Sequence, residues 1–240
     1  KSASPSGKYF KYAIGEIILV VIGILIALQL NNWNEGRNNR NTEIKTLSQL
    51  NIDLKSNLEE ITEIREYLVL TNGSGKKILE HLDSKEQITD SLKLWVEIFS
   101  GRSIFNNANT IYKTIQNNNK NAITNDSLRL EITLMYEQDF ENIHKREIML
   151  NEEYFALYTL ELNKNFKTSP SISRDSESPE PTVNTPIDLA QLKTNEQYKN
   201  TLVETYNFKS LCILKLTQTL ARLKVLIAAV DSEIVNLESN

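Results

Sequence analysis

The sequence predicts an all-α fold, in which a single N-terminal transmembrane helix continues into an elongated antiparallel helical bundle. Three observations support this prediction. Segment 13–30 is apolar and carries one charged residue, Glu16. No glycine lies after Gly101, and the prolines are confined to Pro5 and the stretch 170–186, so long helices are not interrupted. Heptad repeats of apolar residues occupy two long segments near opposite ends of the chain.

The first element is the apolar segment 13–30, which is long enough to cross a bilayer as a helix, since roughly 17 residues suffice. Aromatic residues and lysines precede it and Trp33 follows it, a pattern typical of the two membrane interfaces. A cleaved signal peptide is the alternative, but no small-residue cleavage site closes the segment. We therefore expect a retained anchor in contact with membrane lipid.

The charges that flank the span set its orientation. Three lysines precede the span, and Arg37, Arg40 and Lys45 follow it. The leading segment 1–12 is short and lacks acidic residues, which favours a cytoplasmic N-terminus. Residues 31–240 then form one water-exposed helical domain on the other side of the membrane.

Composition limits the function of that domain. The chain has 31 acidic and 27 basic residues and a net charge of −4, which argues against a nucleic-acid-binding surface. Cys212 is the single cysteine, so no disulfide can form within the chain. It lies in an apolar helical run, which favours core packing over a reactive thiol.

The first helix is expected to continue past the membrane to about Thr71 and to end at Gly73 and Gly75. From Leu47 onward its apolar residues recur at heptad spacing and form one seam. Asn57 is the polar exception; a buried Asn fixes the register of paired helices, and the alternative is that it faces a wet part of the bundle. The predicted seam positions on this helix are Leu47, Leu50, Leu54, Asn57 and Ile61.

The middle of the chain predicts shorter helices and one long one. Asn125, Asp126 and Ser127 are good N-cap candidates for a helix that reaches about Asn163. The stretch 167–186 is rich in serine and proline and too poor in apolar residues to fold alone, so it predicts a flexible loop. The shorter helices are expected at 76–82, 90–100 and 103–116.

The strongest periodic signal predicts a final helix over 198–237, in which Lys209 is the one seam position that is neither apolar nor aromatic. Two matched seams suggest an antiparallel pair within one chain, with Leu47 beside Leu223 or Ile227. The alternative is that the seams pair between chains as a coiled coil, and both can hold. The predicted seam positions on this helix are Ile213, Leu216, Leu220, Leu223, Ile227, Val230 and Ile234.

Candidates for catalysis or metal binding are scarce. The histidines are His81 and His144, and Glu141 with His144 has the Glu-x-x-His spacing of di-metal carboxylate bundles. Such sites need a second copy of the motif, which the chain lacks, so an exposed or capping histidine is favoured. No glycine-rich phosphate loop, nucleophile elbow or Cys/His cluster is present. We expect no enzyme activity, no cofactor and no metal.

Glu16 is the one residue of the span that suggests a function, because ionisable groups inside membranes are costly. It lies near the start of the span, so its carboxylate can reach the headgroups. The alternative is that it faces a partner helix, where Gly15 and Gly23 share a face and allow close approach. Together with Trp33, these residues are the candidates for anchoring and helix association.

A resemblance to a known family rests on the membrane segment. Residues 12–16 read Tyr-Ala-Ile-Gly-Glu, an apolar run follows, and residues 31–34 read Asn-Asn-Trp-Asn. This pattern resembles the opening of a family of uncharacterised single-span membrane proteins of Gram-negative bacteria, a domain of unknown function. A looser resemblance covers 110–154. The resemblance implies an inner-membrane anchor with a periplasmic helical domain, and it implies no activity.

These observations lead to two functional hypotheses. The first is a non-enzymatic, membrane-anchored subunit or scaffold of a bacterial cell-envelope assembly, which acts through helix–helix association with a second copy or a partner in a membrane protein complex. The second is a periplasmic ligand-sensing module that signals through a partner protein. A stoichiometric partner would favour the scaffold, and ligand binding by the helical domain would favour the sensor.

Overall fold

The computed structural model describes residues 5–87, 89–118, 122–169 and 183–239, and most of them are helical. This confirms the all-α prediction. In chain order the helices are α1 (Pro5–Asp83), α2 (Asp90–Phe99), α3 (Thr110–Asn118), α4 (Asp126–Leu134), α5 (Glu141–Met149), α6 (Phe155–Asn165), α7 (Leu189–Thr194) and α8 (Glu196–Ser239). Two π-helical segments, π1 (Met135–Phe140) and π2 (Leu150–Tyr154), join α4, α5 and α6, and two strands, β1 (Phe166–Ser169) and β2 (Val183–Pro186), follow α6.

Three long helical rods build the molecule. Helix α1 has 79 residues and is about 120 Å long at 1.5 Å per residue. Helices α4 to α6 and the two π segments form a second rod without a break. Helix α8, with 44 residues, packs against both, while α2 and α3 pack on α1. The result is an elongated bundle that covers only part of α1.

Side-chain hydrogen bonds show that α1 and α8 run antiparallel within one chain, as the matched seams predicted. The paired residue numbers rise along α1 as they fall along α8. The pairs are Asn51 with Asp231, Arg65 with Thr217 at 2.8 Å, and Asn72 with Ser210 at 2.8 Å.

The register of this pair differs from the predicted one. Because Asn51 donates a hydrogen bond to Asp231, Leu47 lies one turn beyond Asp231 along α8. It does not lie beside Leu223 or Ile227. Heptad repeats look the same after every seven residues, so the sequence pattern alone does not distinguish these registers.

Helix α1 does not end at Gly73 and Gly75 but continues to Asp83, and it includes the separate helix predicted at 76–82. A Cβ atom on Gly75 would lie 2.5 Å from Cε2 of Phe99 in α2. The glycine therefore lets α2 approach α1 closely, and this packing outweighs the roughly 0.5–1 kcal/mol that a glycine costs inside a helix.

We expect Gly75→Ala to lower the free energy of unfolding by about 1–3 kcal/mol, the usual cost of overpacking, because the Phe99 ring is fully buried. Gly73→Ala is a matched control two residues away, where a Cβ atom would meet nothing within 4 Å. It should stabilise the helix by up to about 1 kcal/mol. Urea unfolding of the two variants measures the difference, and a stabilising Gly75→Ala would contradict this account of the glycine.

The middle of the chain agrees with the prediction only in part. Asn125 caps α4, since its Oδ1 accepts a hydrogen bond from the backbone N–H of Leu128 at 3.1 Å. Helix α2 forms as predicted, but the helix predicted at 103–116 begins only at Thr110. Residues 101–109 form an irregular segment instead, which contacts side chains of α1.

The ends of the predicted loop at 167–186 are paired strands. Strand β1 pairs antiparallel with β2, and Phe166 lies opposite Pro186. The Phe166 side chain is buried against Tyr198, with ring centroids 5.6 Å apart, which attaches this hairpin to the bundle. Residues 170–182, the rest of the predicted loop, lie outside the described residues.

Candidate functional site

The N-terminal part of α1 has the surface of a membrane helix. Between residues 14 and 30 its large apolar side chains are 43% to 72% exposed. Its most apolar window has a mean hydropathy of 2.3, and no residue of that window is buried. Among the described residues α1 is the one helix long and apolar enough to cross a membrane. An apolar surface of this extent, left uncovered by the chain, is compatible with a single membrane span.

The four candidate anchoring residues lie on this uncovered helix. A Cβ atom on Gly15 or Gly23 would meet nothing within 4 Å, Glu16 is exposed, and Trp33 is 67% exposed. The structure therefore leaves all four open to lipid or to another helix. Their role in helix association stays a prediction.

A single-helix neck separates this segment from the bundle. Glu43 is the first buried side chain of α1 in the described chain, about ten residues or 15 Å beyond Trp33. Its carboxylate accepts hydrogen bonds from the backbone N–H of Thr124, at 2.7 Å, and from the Thr124 hydroxyl, at 3.0 Å. The bundle thus begins where Glu43 fixes the loop before α4.

The predicted seam of α1 is buried inside the bundle. The side chains of Leu47, Leu50, Leu54 and Ile61 are 0% exposed, as is that of Asn57. These residues pack within one chain, which agrees with the intrachain interpretation of the seam. Asn57 does not face a wet part of the bundle.

Only some residues of the predicted α8 seam lie in the centre of the core. Leu216, Leu223, Ile227 and Val230 are buried, whereas Ile213, Leu220 and Ile234 are half-buried at the edge of the core. The centre of the interface also contains polar residues that the apolar pattern missed. Thr205 and Thr219 are fully buried examples, and Lys209, the exception that the predicted seam already contained, is fully buried as well.

Threonines can occupy such positions because their hydroxyls bond the carbonyl four residues earlier in the same helix. Thr205 Oγ1, for example, donates to the carbonyl of Thr201 at 2.8 Å. Thr205 Oγ1 also lies 3.4 Å from the carbonyl of Tyr154 in π2. The bond within the helix explains the burial of Thr205 but not that of Thr219, whose hydroxyl has no hydrogen-bond partner among the described residues.

Three polar side chains of α1 bind the irregular segment 101–109 and the start of α3, and we call Asp53, Asn57 and Glu60 the polar ladder. A segment without regular structure leaves its backbone N–H groups unpaired, and burial makes unpaired groups costly. The ladder accepts hydrogen bonds from the N–H groups of Ile111 at 3.2 Å, Ala108 at 2.7 Å and Asn106 at 2.8 Å, respectively.

Asn57 makes the closest of these attachments, because its Nδ2 also donates to the carbonyl of Ala108 at 2.9 Å. On the other side of the segment, Glu147 of α5 accepts from the backbone N–H of Phe105 at 2.9 Å. Burial raises the pKa of Glu147 above its usual value. Segment 101–109 is thus held between α1 and α5 by its own backbone.

Lys209 lies at the crossing of four helices. Its Nζ donates to the carbonyl of Phe99 at 2.7 Å and to the Thr71 hydroxyl at 3.1 Å. The Nζ also lies 4.5 Å from the ring centroid of Phe99 and 4.8 Å from that of Phe155. Phe99 is the last residue of α2, and the C-terminus of a helix attracts a positive charge. Burial nevertheless lowers the pKa of Lys209 to about 7.

Asp139 is a second buried charge that the sequence analysis missed. It lies in π1, only 3% exposed, and forms ion pairs with Lys215 Nζ at 2.7 Å and with Arg222 Nη1 at 2.5 Å. Arg222 also contacts Glu131 at 3.3 Å. This network joins the second rod to α8. A π-helical segment that places a charge toward another helix was not visible in the heptad pattern.

His144 and Cys212 take ordinary structural positions, whereas His81 is buried and its Nε2 has no hydrogen-bond partner among the described residues. His144 is exposed, with Nδ1 3.9 Å from a Glu147 oxygen, and no cluster of three potential metal ligands occurs within the part of the chain that the structure describes. Cys212 is buried, and burial raises the pKa of its thiol to about 11. Its core position agrees with the sequence prediction.

Comparison with known families gives one match. A family of unknown function, DUF6090, matches residues 16–166, which include α1 from Glu16 onward and the second rod. No curated protein and no solved structure matches the chain. The match supports an uncharacterised domain family, and it begins at Glu16, after the first four residues of the Tyr-Ala-Ile-Gly-Glu pattern. Since the match covers more than half of the chain, the protein belongs to this family of unknown function.

Proposed function

We propose that the protein is a non-enzymatic, membrane-anchored helical scaffold or subunit of a bacterial cell-envelope assembly. The observation that carries the proposal is the continuity of α1, which passes from the apolar segment into the bundle core without a break. An unbroken helix transmits position and orientation better than a flexible linker does. The span and bundle then act as one rod that holds a partner at a fixed distance from the membrane.

The interior of the bundle favours a scaffold over a ligand sensor. The cleft beside Cys212 and Leu216, between α1, α5 and α8, has a volume of about 20 Å³, which is room for about one water molecule. Aromatic rings fill the core further along the bundle, where Phe99 and Tyr158 lie 5.1 Å apart. The side chains themselves thus occupy these positions. A ligand would have to use a surface groove.

The scaffold proposal places the bundle in the periplasm and the N-terminus in the cytoplasm. The lysines before the span and the absence of acidic residues there support this orientation. The helix neck after Trp33 is rich in asparagine, as suits a segment that leaves lipid for water.

Cysteine labelling tests the orientation. Lys167 is exposed in β1. Lys167→Cys should therefore react with a membrane-impermeant maleimide in spheroplasts, whose outer membrane is permeable to the reagent. Lys8→Cys should react only after lysis. The unaltered chain is the blank, because its Cys212 is buried. The reverse labelling order would contradict the proposed orientation.

The assembly state tests the scaffold function itself. Extraction from the membrane into lipid nanodiscs, followed by native mass measurement, should give more than one polypeptide at fixed stoichiometry. A monomer that binds a small molecule and carries no second polypeptide would favour the sensor instead.

A further inference from the structure

The face of α8 that points away from the core is exposed and free of charge. From residue 211 onward, exposed positions recur with alternating steps of three and four residues, and this spacing continues to Val235. A surface helix normally places charged residues opposite its buried stripe. We name this surface the outer seam and define it as Leu211, Leu214, Gln218, Ala221, Val225 and Ala228.

The apolar side chains of the outer seam are well exposed. Leu211, Leu214 and Val225 are 51%, 53% and 71% exposed, respectively. Beside Val225 a groove of about 510 Å³ lies between α4 and α8, and Leu128 and Met135 line its other side. A partner could therefore pack on the exposed side chains of the outer seam and into the groove beside Val225.

The nearby charges of α8 lie at the two flanks of the seam; Lys224 is exposed there, and three others contact other parts of the same chain. Lys215 and Arg222, on one flank, pair with Asp139. Asp231, on the other flank, accepts a hydrogen bond from Asn51. These contacts keep charge at the edges, and the outer seam remains apolar or neutral between them.

We propose that the outer seam binds the outer seam of a second copy of the chain, as a parallel, in-register pair of helices. The proposal deepens the scaffold function and rests on its membrane anchor. Two copies anchored by equivalent spans in one membrane stand parallel and at the same height, with a two-fold axis along the membrane normal. Each residue of the outer seam then lies opposite the same residue of the second copy.

The charges fit this arrangement. In a parallel coiled coil, the residue directly before Leu211, Gln218 or Val225 lies beside the residue of the second copy that is five positions later in the sequence. No such pair in this stretch brings like charges together. The pairs are Ser210 with Lys215, Thr217 with Arg222, and Lys224 with Ala229.

Gln218 adds specificity to the seam. It is the polar residue among the six seam positions, and in a parallel, in-register pair it meets the same amide of the second copy. Two amides can hydrogen-bond to each other, and a single polar seam position fixes register at a cost in stability. A shifted register would place each Gln218 against an apolar residue, where its amide would be buried without a partner.

The test uses the full chain in lipid nanodiscs, with native mass as the measurement. The unaltered chain should contain two copies, and Val225→Glu should reduce the mass to one copy, since two like charges would be buried together. Val225 is largely exposed, so its replacement should leave the bundle folded, as circular dichroism can check. Ile52→Glu is the matched control: Ile52 is 68% exposed on α1, and this variant should keep two copies.

Disulfide formation provides a second readout that does not depend on a charged substitution. In a Cys212→Ala background, Val225→Cys should form a disulfide between copies upon mild oxidation, and Ile52→Cys should not. A single copy in the unaltered sample, or two copies in Val225→Glu, would overturn the proposal. One copy bound to a different protein would overturn it too, while leaving the scaffold function intact. Failure of the chain to fractionate with membranes would instead refute the anchor.

Discussion

Replacing Asn57 with leucine is expected to lower the free energy of unfolding by about 3 kcal/mol. Leucine fills a similar volume, but it leaves the N–H and C=O groups of Ala108 without their partner, and each buried unpaired group costs roughly 1–3 kcal/mol. Asn57 is 0% exposed, so water cannot readily replace the lost bonds. Urea unfolding of the full chain in mild detergent, followed by far-ultraviolet circular dichroism, measures the loss.

Asn41→Leu is the control for this experiment. Asn41 is an exposed asparagine on the same helix, and its replacement should change the free energy of unfolding by no more than about 0.5 kcal/mol. Hydrogen exchange adds a local signature, because the Ala108 amide should be protected in the unaltered chain and lose protection in Asn57→Leu. Equal losses of stability in the two variants would contradict the assigned role of Asn57.

The position of Asn57 was predictable from the sequence, but its partner was not. Heptad spacing placed it in the seam correctly, because burial follows the period of the helix. Its partner Ala108 lies in a segment with no periodic pattern, 51 residues away. Asp53 and Glu60 share that helix face, and in the sequence they resemble a solvated acidic surface. Only the tertiary structure shows that they bind backbone N–H groups.

Gly75 illustrates the opposite error, in which a local signal was read too strongly. Two glycines in three residues favour a helix end when only local conformational freedom is considered. The approach of Phe99 provides a different reason for glycine at this position. The strand pair at Phe166 was missed for a related reason, since four-residue strands carry little pattern and a single buried ring holds them.

Lys209 was visible in the sequence as the exception to the seam of α8, yet its burial was not predictable. A lysine in an apolar repeat usually extends its ammonium group to water. Here the end of α2 supplies the carbonyl of Phe99, and α1 supplies the hydroxyl of Thr71. Neither contact is encoded near Lys209 in the chain, so a sequence pattern could not assign them.

The consequence of this burial is the second large effect. The stability of the unaltered chain relative to Lys209→Met should increase as pH rises from about 7 toward 10.5. In this window the lysine of the unfolded chain, with its ordinary pKa of 10.5, is protonated, whereas the buried lysine, with a pKa of about 7, is not. The unfolded state binds one more proton, so the free energy of unfolding rises by about 1.4 kcal/mol per pH unit.

Below pH 7 both states carry the proton, and the folded chain bears the full cost of a buried charge. Methionine removes that charge and retains most of the side-chain volume. The free energy of unfolding of Lys209→Met should therefore be highest there, relative to that of the unaltered chain. Relative to the unaltered chain, its free energy of unfolding should be lowest near pH 10, because the variant lacks the hydrogen bonds to Phe99 and Thr71. Chemical unfolding at several values between pH 6 and pH 10 measures both curves, and the difference between them cancels the groups that the two chains share.

The neighbours of Lys209 should not obscure this dependence. Burial raises the pKa of Cys212 to about 11 and that of Tyr158 to about 12, so both groups stay neutral in the folded chain across the measured range. Their ionisation in the unfolded chain is common to the two proteins and cancels in the difference. Lys224→Met is the matched control, because Lys224 is an exposed lysine of the same helix, and its curve should run parallel to that of the unaltered chain. If the curve of Lys209→Met also ran parallel to that of the unaltered chain, the Lys209 ammonium would be as well stabilised between the rings of Phe99 and Phe155 as in water. Lys209 would then be a permanent cation that caps α2, and it would contribute no pH dependence to the stability of the bundle.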